Sequence, residues 1–251
     1  MIIGISGRKQ AGKNTVANFI NGHVLKNLSM INDFYIDDDG QLVINTSDSS
    51  GKVGYGIFDV TRKDNAFVEY AERELWPHIK VYHFADYLKE ICVNLFDLDP
   101  KNIYGSDNDK NQSTNFVWND MPGVPVDLPN WGKDKFQTHR EFMEYFGTLI
   151  VRRIKQDAWV SATIKKILTE KSNIAIIPDV RFPNEVRAIK ESGGYIIRLT
   201  RNVFNSDVEC ETALDKDKFD WSNFDFIIEN DHSSIDEMCN KLKDILNNWS
   251  V

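Results

Sequence analysis

The most constraining stretch of this chain is its opening, MIIGISGRKQAGKNT. Residues 2–6 form a short apolar run with β-branched members, which predicts a buried strand. From Lys13 the pattern turns helical, with Val16, Phe19, Ile20 and Val24 spaced for one apolar face. Between them stand Gly7, Arg8, Lys9, Gln10, Ala11, Gly12 and Lys13, the pattern G-x-x-x-x-G-K, followed by Asn14 and Thr15. The glycines let successive backbone N–H groups point at one anion. The helix adds its N-terminal dipole at the same spot, and Lys13 adds a point charge suited to β- and γ-phosphates. Strand before and helix after are the context that a phosphate loop requires.

One position departs from the common loop. The residue after the lysine is ordinarily Ser or Thr, whose hydroxyl holds Mg²⁺. Here it is Asn14, and the hydroxyl arrives one residue later at Thr15. That shift disfavours switch GTPases and motor ATPases and favours a small-molecule kinase of the G-K-G-T kind.

Further apolar runs at 79–84, 174–177, 195–199 and 226–228 predict four more buried strands. Helical patterns at 65–76, 87–96, 139–154, 158–168, 184–191 and 234–249 separate or follow them, the last capped by Ser233 or Ser234. Five strands alternating with helices predict an α/β fold with a mainly parallel sheet flanked by helices, binding its ligands beyond the carboxyl ends of the strands. The whole of 1–251 reads as one domain with three excursions. Residues 30–63 read as a β-rich insertion: YIDDDGQLVI has an Asp-Gly hairpin turn, and SDSSGKVGYG reads as a polar loop. Residues 97–136, with little periodicity, read as a substrate-side loop, and 202–223 as a lid.

Charge and cysteine content narrow the setting. Thirty Lys and Arg against 38 Asp and Glu give a net charge of −8, which disfavours a nucleic-acid or acidic-membrane partner but permits a local basic pocket. Three separated cysteines, Cys92, Cys210 and Cys239, suggest a reducing compartment without disulfides. No apolar stretch is long enough to span a bilayer, and the start lacks a signal-peptide pattern, so a cytoplasmic location is expected.

Two more segments carry chemistry. In Ile176-Ile177-Pro178-Asp179-Val180-Arg181, an apolar strand delivers Asp179 to its carboxyl end, where a carboxylate can orient Mg²⁺ or hold an acceptor group; otherwise it is a helix cap. The planar fork of Arg181 suits a phosphate, and the bland alternative is a solvated side chain. In REFMEYFGTLIVRR, Gly147 interrupts a helical pattern at a cost of about 1 kcal/mol, which asks for a reason such as close approach of a ligand. Arg140, Arg152 and Arg153 are candidates for a nucleotide phosphate or for a solvated helix face. Trp159 is a candidate for base stacking or for the core.

Taken together, GRKQAGKNTVANFI, FADYLKE, YGSDNDKN, REFMEYFGTLIVRR with DAWV, PDVRFPNEV, IIRLTR, ECETAL and IIENDHSSIDEM resemble the bacteriophage-type deoxynucleoside monophosphate kinases. The resemblance touches most of the chain outside residues 30–78. It implies an adenylate kinase-like phosphate-loop fold that moves the γ-phosphate of ATP onto a deoxynucleoside monophosphate with Mg²⁺, in the cytoplasm (of the host if the source is viral), and a homodimer is compatible with it. By position, Gly7, Arg8, Lys9, Ala11, Gly12, Lys13, Asn14 and Thr15 would hold the ATP phosphates, and Asn230 would lie by the adenine. Ala85, Lys89, Arg140, Gly147, Thr148, Trp159, Asp179, Arg181 and Glu185 would surround the acceptor, with Glu211 as a lid-region acid. Thr15 and Asp179 would meet the metal. Val208 stands where related lids carry His. Phosphoryl transfer needs positioning and charge neutralisation more than a base, so Lys13, Arg181, Arg140 and a lid arginine such as Arg201 are read as electrostatic stabilisers and Asp179 as an orienting group. Three other readings stay open here: another adenylate kinase-like kinase, for example one acting on dephospho-coenzyme A; a non-catalytic nucleotide-binding protein; and a DNA-associated ATPase.

Overall fold

Five of the apolar runs assemble into one sheet in the computed structural model, which describes residues 1–47, 51–123, 134–203 and 209–249. In chain order the elements are β1 (Ile2–Ser6), α1 (Lys13–Asn27), β2 (Asp33–Ile36), β3 (Leu42–Ser47), β4 (Val53–Ile57), α2 (Asn65–Glu74), β5 (Ile79–Val81), α3 (Asp86–Asn94), α4 (Pro100–Tyr104), α5 (Asp107–Lys110), β6 (Ser113–Val117), β7 (Phe136–Thr138), α6 (His139–Glu144), a π-helical segment Tyr145–Val151, α7 (Arg152–Ile154), α8 (Ala158–Glu170), β8 (Ile174–Val180), α9 (Pro183–Glu191), β9 (Tyr195–Leu199), α10 (Glu209–Thr212), β10 (Phe226–Ile228) and α11 (Ile235–Asn248). Contacts divide the chain into two units, one of residues 1–83 with 164–251 and one of residues 84–163.

In the first unit the sheet runs β10-β9-β1-β8-β5 with every pairing parallel, as the sequence predicts. β1, at the centre, is buried at every residue, and strands covered on both faces read as continuous apolar runs. The chain runs from β1 out to β5 and back through β8, then crosses to β9 and β10 on the other side of β1, so the strand order reverses at β1, and the crevice beyond its carboxyl end is the place where such sheets take ligands. Ile3, Ile5, Ile176, Ile197 and Leu199 from the sheet meet Val16, Ile20 and Val24 of α1 and Leu242 and Leu246 of α11 in one core. α11 starts at Ser234, whose hydroxyl accepts from Glu237 N at 3.2 Å while Glu237 accepts from Ser234 N at 3.0 Å, a reciprocal cap.

Three expectations are corrected. The stretch read as a polar loop after the hairpin becomes a strand: β4 pairs with β3, giving an antiparallel β2-β3-β4 sheet in the insertion, with residues 48–50 outside the described residues. Its alternating Val53, Tyr55 and Ile57 are solvent-exposed, so no burial pattern marked it. β8 extends beyond residue 177 to Val180, and its register against β1 shifts between Gly4 and Ser6, a bulge over Pro178 and Asp179. The predicted helix 139–154 is broken in character: its middle, Tyr145–Val151, is π-helical.

In the second unit, residues 97–136 are more ordered than a loop, holding α4, α5 and the β6–β7 pair, with 124–133 outside the described residues. The core is aromatic. Phe142 lies 4.9 Å from Phe96 and 4.8 Å from Phe116, ring centre to ring centre, and Trp118 packs edge-on to Tyr145. Such ring pairs join residues far apart in sequence and leave no helical or strand period. Among the described residues no helix is long and apolar enough to cross a membrane.

Candidate active site in the phosphate-loop unit

The loop between β1 and α1 turns on two left-handed residues, Gln10 at φ 60° and Gly12 at φ 97°. Gly12 is the residue before the helix and lends no side-chain cap, so it leaves uncovered the first-turn N–H groups of α1, which a helix start offers to an anion. The Lys13 ammonium folds back and donates to Gly7 O and Arg8 O, each at 2.7 Å, which uses two of its three protons. Burial, then the nearby charge of Arg181, holds its pKa down at about 8 from an ordinary 10.5, against the opposing pull of Glu211 and Asp179.

Arg181 follows the end of β8, beside β1, and its backbone is fixed by Glu185. The buried Glu185 carboxylate accepts from Arg181 N at 2.7 Å and Phe182 N at 3.0 Å. Glu185, expected around the acceptor, is thus committed to holding the turn that carries Arg181. Glu211 joins the two halves of the site. One of its oxygens accepts from Lys9 N of the loop at 2.6 Å, the other from Arg181 Nη1 at 2.7 Å. The loop backbone and the Arg181 fork therefore lie at the spacing of one carboxylate.

Asn230, expected beside adenine, is 3% exposed and has both ends occupied: its amide donates to Ala11 O at 2.9 Å and accepts from Arg201 N at 2.9 Å. It brackets the loop to the start of the 202–223 segment. Within that segment, residues 204–208, including Val208, lie outside the described residues.

Sequence reasoning missed Arg198. It sits mid-strand on β9, opposite Ser6 in register, and is 4% exposed. Its guanidinium donates to Ser6 Oγ at 2.9 Å, lies 3.5 Å from Asp215 and packs under the rings of Trp221 and Phe224. Asp215 also accepts from Arg8 Nε at 3.2 Å, so Arg8 of the loop, expected at the ATP phosphates, is tied through one carboxylate to a buried cation. The signal was legible: a charge inside the apolar run YIIRL demands a partner.

The second unit, taken by itself, gathers cations. Arg140 donates to Asp107 Oδ1 at 2.7 Å and Asn111 Oδ1 at 3.2 Å. Lys110, which the sequence did not single out, has its pKa lowered by burial first and then by Lys89, with Arg140 adding to the same effect against Asp107 and Asp109. Lys110 therefore lies within reach of the charges of both Lys89 and Arg140. Ala85 is the residue before α3, which carries Lys89. The close approach that explains Gly147 is an internal one: a Cβ there would come 2.9 Å from Leu88 Cδ2. Trp159 is buried and its indole N–H donates to Gly147 O at 3.1 Å, so it closes over the π-helical turn that holds Gly147 and Thr148.

A nucleotide-borne Mg²⁺ fits these residues. Such an ion takes one or two protein oxygens and fills its octahedron with phosphates and water. Asp179, near enough to act on the charge of Lys13, carries an oxygen of the kind such an ion takes, whereas the Thr15 hydroxyl, in the first turn of α1, lies against Gly40 of the insertion. Among the described residues no group of three or more His, Cys, Asp or Glu forms a protein-only metal cage.

Comparison with known proteins bears on the family. A family model described as deoxynucleotide monophosphate kinase matches residues 1–242. A protein of Acanthamoeba polyphaga mimivirus named "Putative deoxynucleotide monophosphate kinase" is 29% identical over 137 residues, covering 49% of this chain and 62% of its own length. The chain thus spans less than two thirds of that relative.

Proposed function

The chain belongs to the deoxynucleotide monophosphate kinase family, and from that premise we propose that it transfers the γ-phosphoryl group of ATP to a deoxynucleoside 5′-monophosphate, yielding ADP and the deoxynucleoside diphosphate. A phosphate oxygen of the monophosphate attacks the γ-phosphorus, the bond to the β–γ bridging oxygen breaks, and the leaving electrons stay on ADP. The attacker is already an anion, so no strong general base is needed.

The observation that carries this reading is the chain Lys9 N–H to Glu211 to Arg181 Nη1, at 2.6 and 2.7 Å. It sets a backbone anion donor and a guanidinium fork at the spacing that phosphate oxygens can occupy. Lys13 and Arg181 would neutralise charge on the moving group, as preorganised cations do, with Asp179 orienting the nucleotide's Mg²⁺. On the acceptor side Arg140, Lys89 and Lys110 are the cations suited to the monophosphate. The bound metal would supply charge neutralisation between the phosphates. We place the reaction in the cytoplasm, with free nucleotides as the substrates.

A coupled assay of ADP formation across the deoxy- and ribonucleoside monophosphates, with dephospho-coenzyme A beside them, tests the reading. Turnover on at least one deoxynucleoside monophosphate and none on dephospho-coenzyme A is expected. The reverse pattern would overturn it.

A further inference from the structure

The insertion that the resemblance leaves without a counterpart reaches the phosphate loop. The β2–β3 turn is held by Asp37, whose carboxylate accepts from Asp39 N at 3.0 Å and Gln41 N at 2.8 Å, a local turn of the Asx kind. Gly40 follows at φ 77° and lies so close to α1 that a Cβ on it would come 2.3 Å from Thr15 Oγ1. Asn18 of α1 clamps the same residue, donating to Gly40 O at 2.9 Å. The turn is therefore docked on the first turn of the helix that starts at the phosphate loop, by contacts that only glycine allows.

A cavity of about 190 Å³ opens there, with Ala11, Gly12 and Thr15 on one side, Asp38 and Asp39 on another, and buried Met238 among its lining. At about 30 Å³ per water it has room for about six waters, the scale of a sugar or a base. Arg201 and Asn230 also line it, but the Asn230 amide is already spent on Ala11 O and Arg201 N. The polar groups left to read a ligand thus include carboxylates contributed by the insertion, and an ionised carboxylate only accepts hydrogen bonds.

Resting on the function proposed above, we infer that the Asp38-Asp39-Gly40 turn is a wall of the donor's nucleoside pocket and that its carboxylates accept hydrogen bonds from the ribose hydroxyls of the triphosphate. The sugar is the part of a nucleotide bonded to the α-phosphate, and Gly40 abuts Thr15, at the phosphate end of the cavity. A carboxylate so near a phosphate is repelled unless a cation, such as Arg201 in the same lining, or a donor group lies between them, and the sugar hydroxyls are such donors. The insertion then selects a ribonucleoside triphosphate as donor, whatever the sugar of the acceptor.

Titration calorimetry of the full chain with ATP, 2′-deoxy-ATP and 3′-deoxy-ATP tests this without requiring turnover. Wild type binds ATP about tenfold or more tighter than at least one deoxy analogue, as loss of a hydrogen bond to a charged group implies. In the Asp38→Ala/Asp39→Ala double variant that ratio falls to within about twofold. Gly40→Ala, which displaces the turn, does the same. Equal affinities for all three nucleotides in wild type, or a ratio that survives in both variants, overturns the inference. A protein that transfers phosphate to deoxynucleoside monophosphates yet ignores the donor's sugar overturns it alone, whereas a protein that binds no ATP overturns the function reading with it.

Discussion

Replacing Asp215 by alanine isolates what the buried arginine costs. Arg198 is 4% exposed, and Asp215 is the carboxylate paired with it, 3.5 Å from Nη2. Breaking a buried ion pair from one side leaves an uncompensated charge, at about 3–5 kcal/mol. Two features soften that figure: Ser6 Oγ still accepts from Nη1 at 2.9 Å, and the rings of Trp221 and Phe224 remain 5.2 and 5.7 Å away, worth about 0.5–2 kcal/mol together. Arg8 also loses its bonds to Asp215, but it keeps the one to Asn202 Oδ1 at 3.4 Å, and its side chain, 19% exposed, can turn to water, adding no more than about 1 kcal/mol. The net expectation is a loss of about 3 kcal/mol for Asp215→Ala, read by urea denaturation at neutral pH. Arg198→Met made together with Asp215→Ala removes the stranded charge, so the double variant recovers about 2 kcal/mol relative to the sum of the singles. Because Arg8 belongs to the phosphate loop, Asp215→Ala also raises the KM for ATP. An Asp215→Ala cost below about 0.5 kcal/mol, or additive single and double variants, would refute the reasoning.

Four further outcomes are expected. Lys13→Ala lowers kcat by at least about a hundredfold with an unchanged circular dichroism spectrum, one preorganised charge being worth a few kcal/mol; near-normal turnover would remove Lys13 from the reaction. The Lys13 pKa is held down at about 8, so the free enzyme loses this charge as pH rises through that value, and kcat/KM for ATP declines there; a profile flat to about pH 10 would contradict the assignment. The same shift makes stability rise with pH between about 8 and 10.5, since the unfolded chain holds that proton more tightly in the window. Arg181→Ala raises the monophosphate KM or lowers kcat more than it changes the KM for ATP; unchanged monophosphate kinetics would count against its role.

The sheet was legible because its inner strands are buried on both faces: IIGIS and YIIRL announce themselves as apolar runs, and β1 and β9 fall where those runs do, while the short run FII gives the edge strand β10 although its Ile227 faces solvent. The exposed strand β4 and the aromatic core around Phe142 were not, because solvent-facing residues carry no burial period and ring contacts across 46 residues, from Phe96 to Phe142, carry no local one. Within the site, motif spacing pointed to Lys13 and Arg181. It did not show that the side chains of Glu185 and Asn230 are taken up by backbone groups, which depends on where Phe182 N and Ala11 O come to lie. Lys110 escaped notice because a four-residue helix gives no pattern to read; the charge of Arg198 inside YIIRL was readable, but its partner, Asp215, is distant in sequence and was not.

In the proposed reaction one protein grips a triphosphate with its loop while Arg181 presents the second nucleotide. A bisubstrate analogue, adenosine joined through five phosphates to the deoxynucleoside whose monophosphate is turned over fastest, addresses that directly by calorimetry on wild type, Lys13→Ala and Arg181→Ala. Linking both nucleotides predicts one analogue per chain, bound at least about a hundredfold tighter than ATP, with the advantage reduced in each variant. An analogue that binds no tighter than ATP and is indifferent to Arg181 would contradict it.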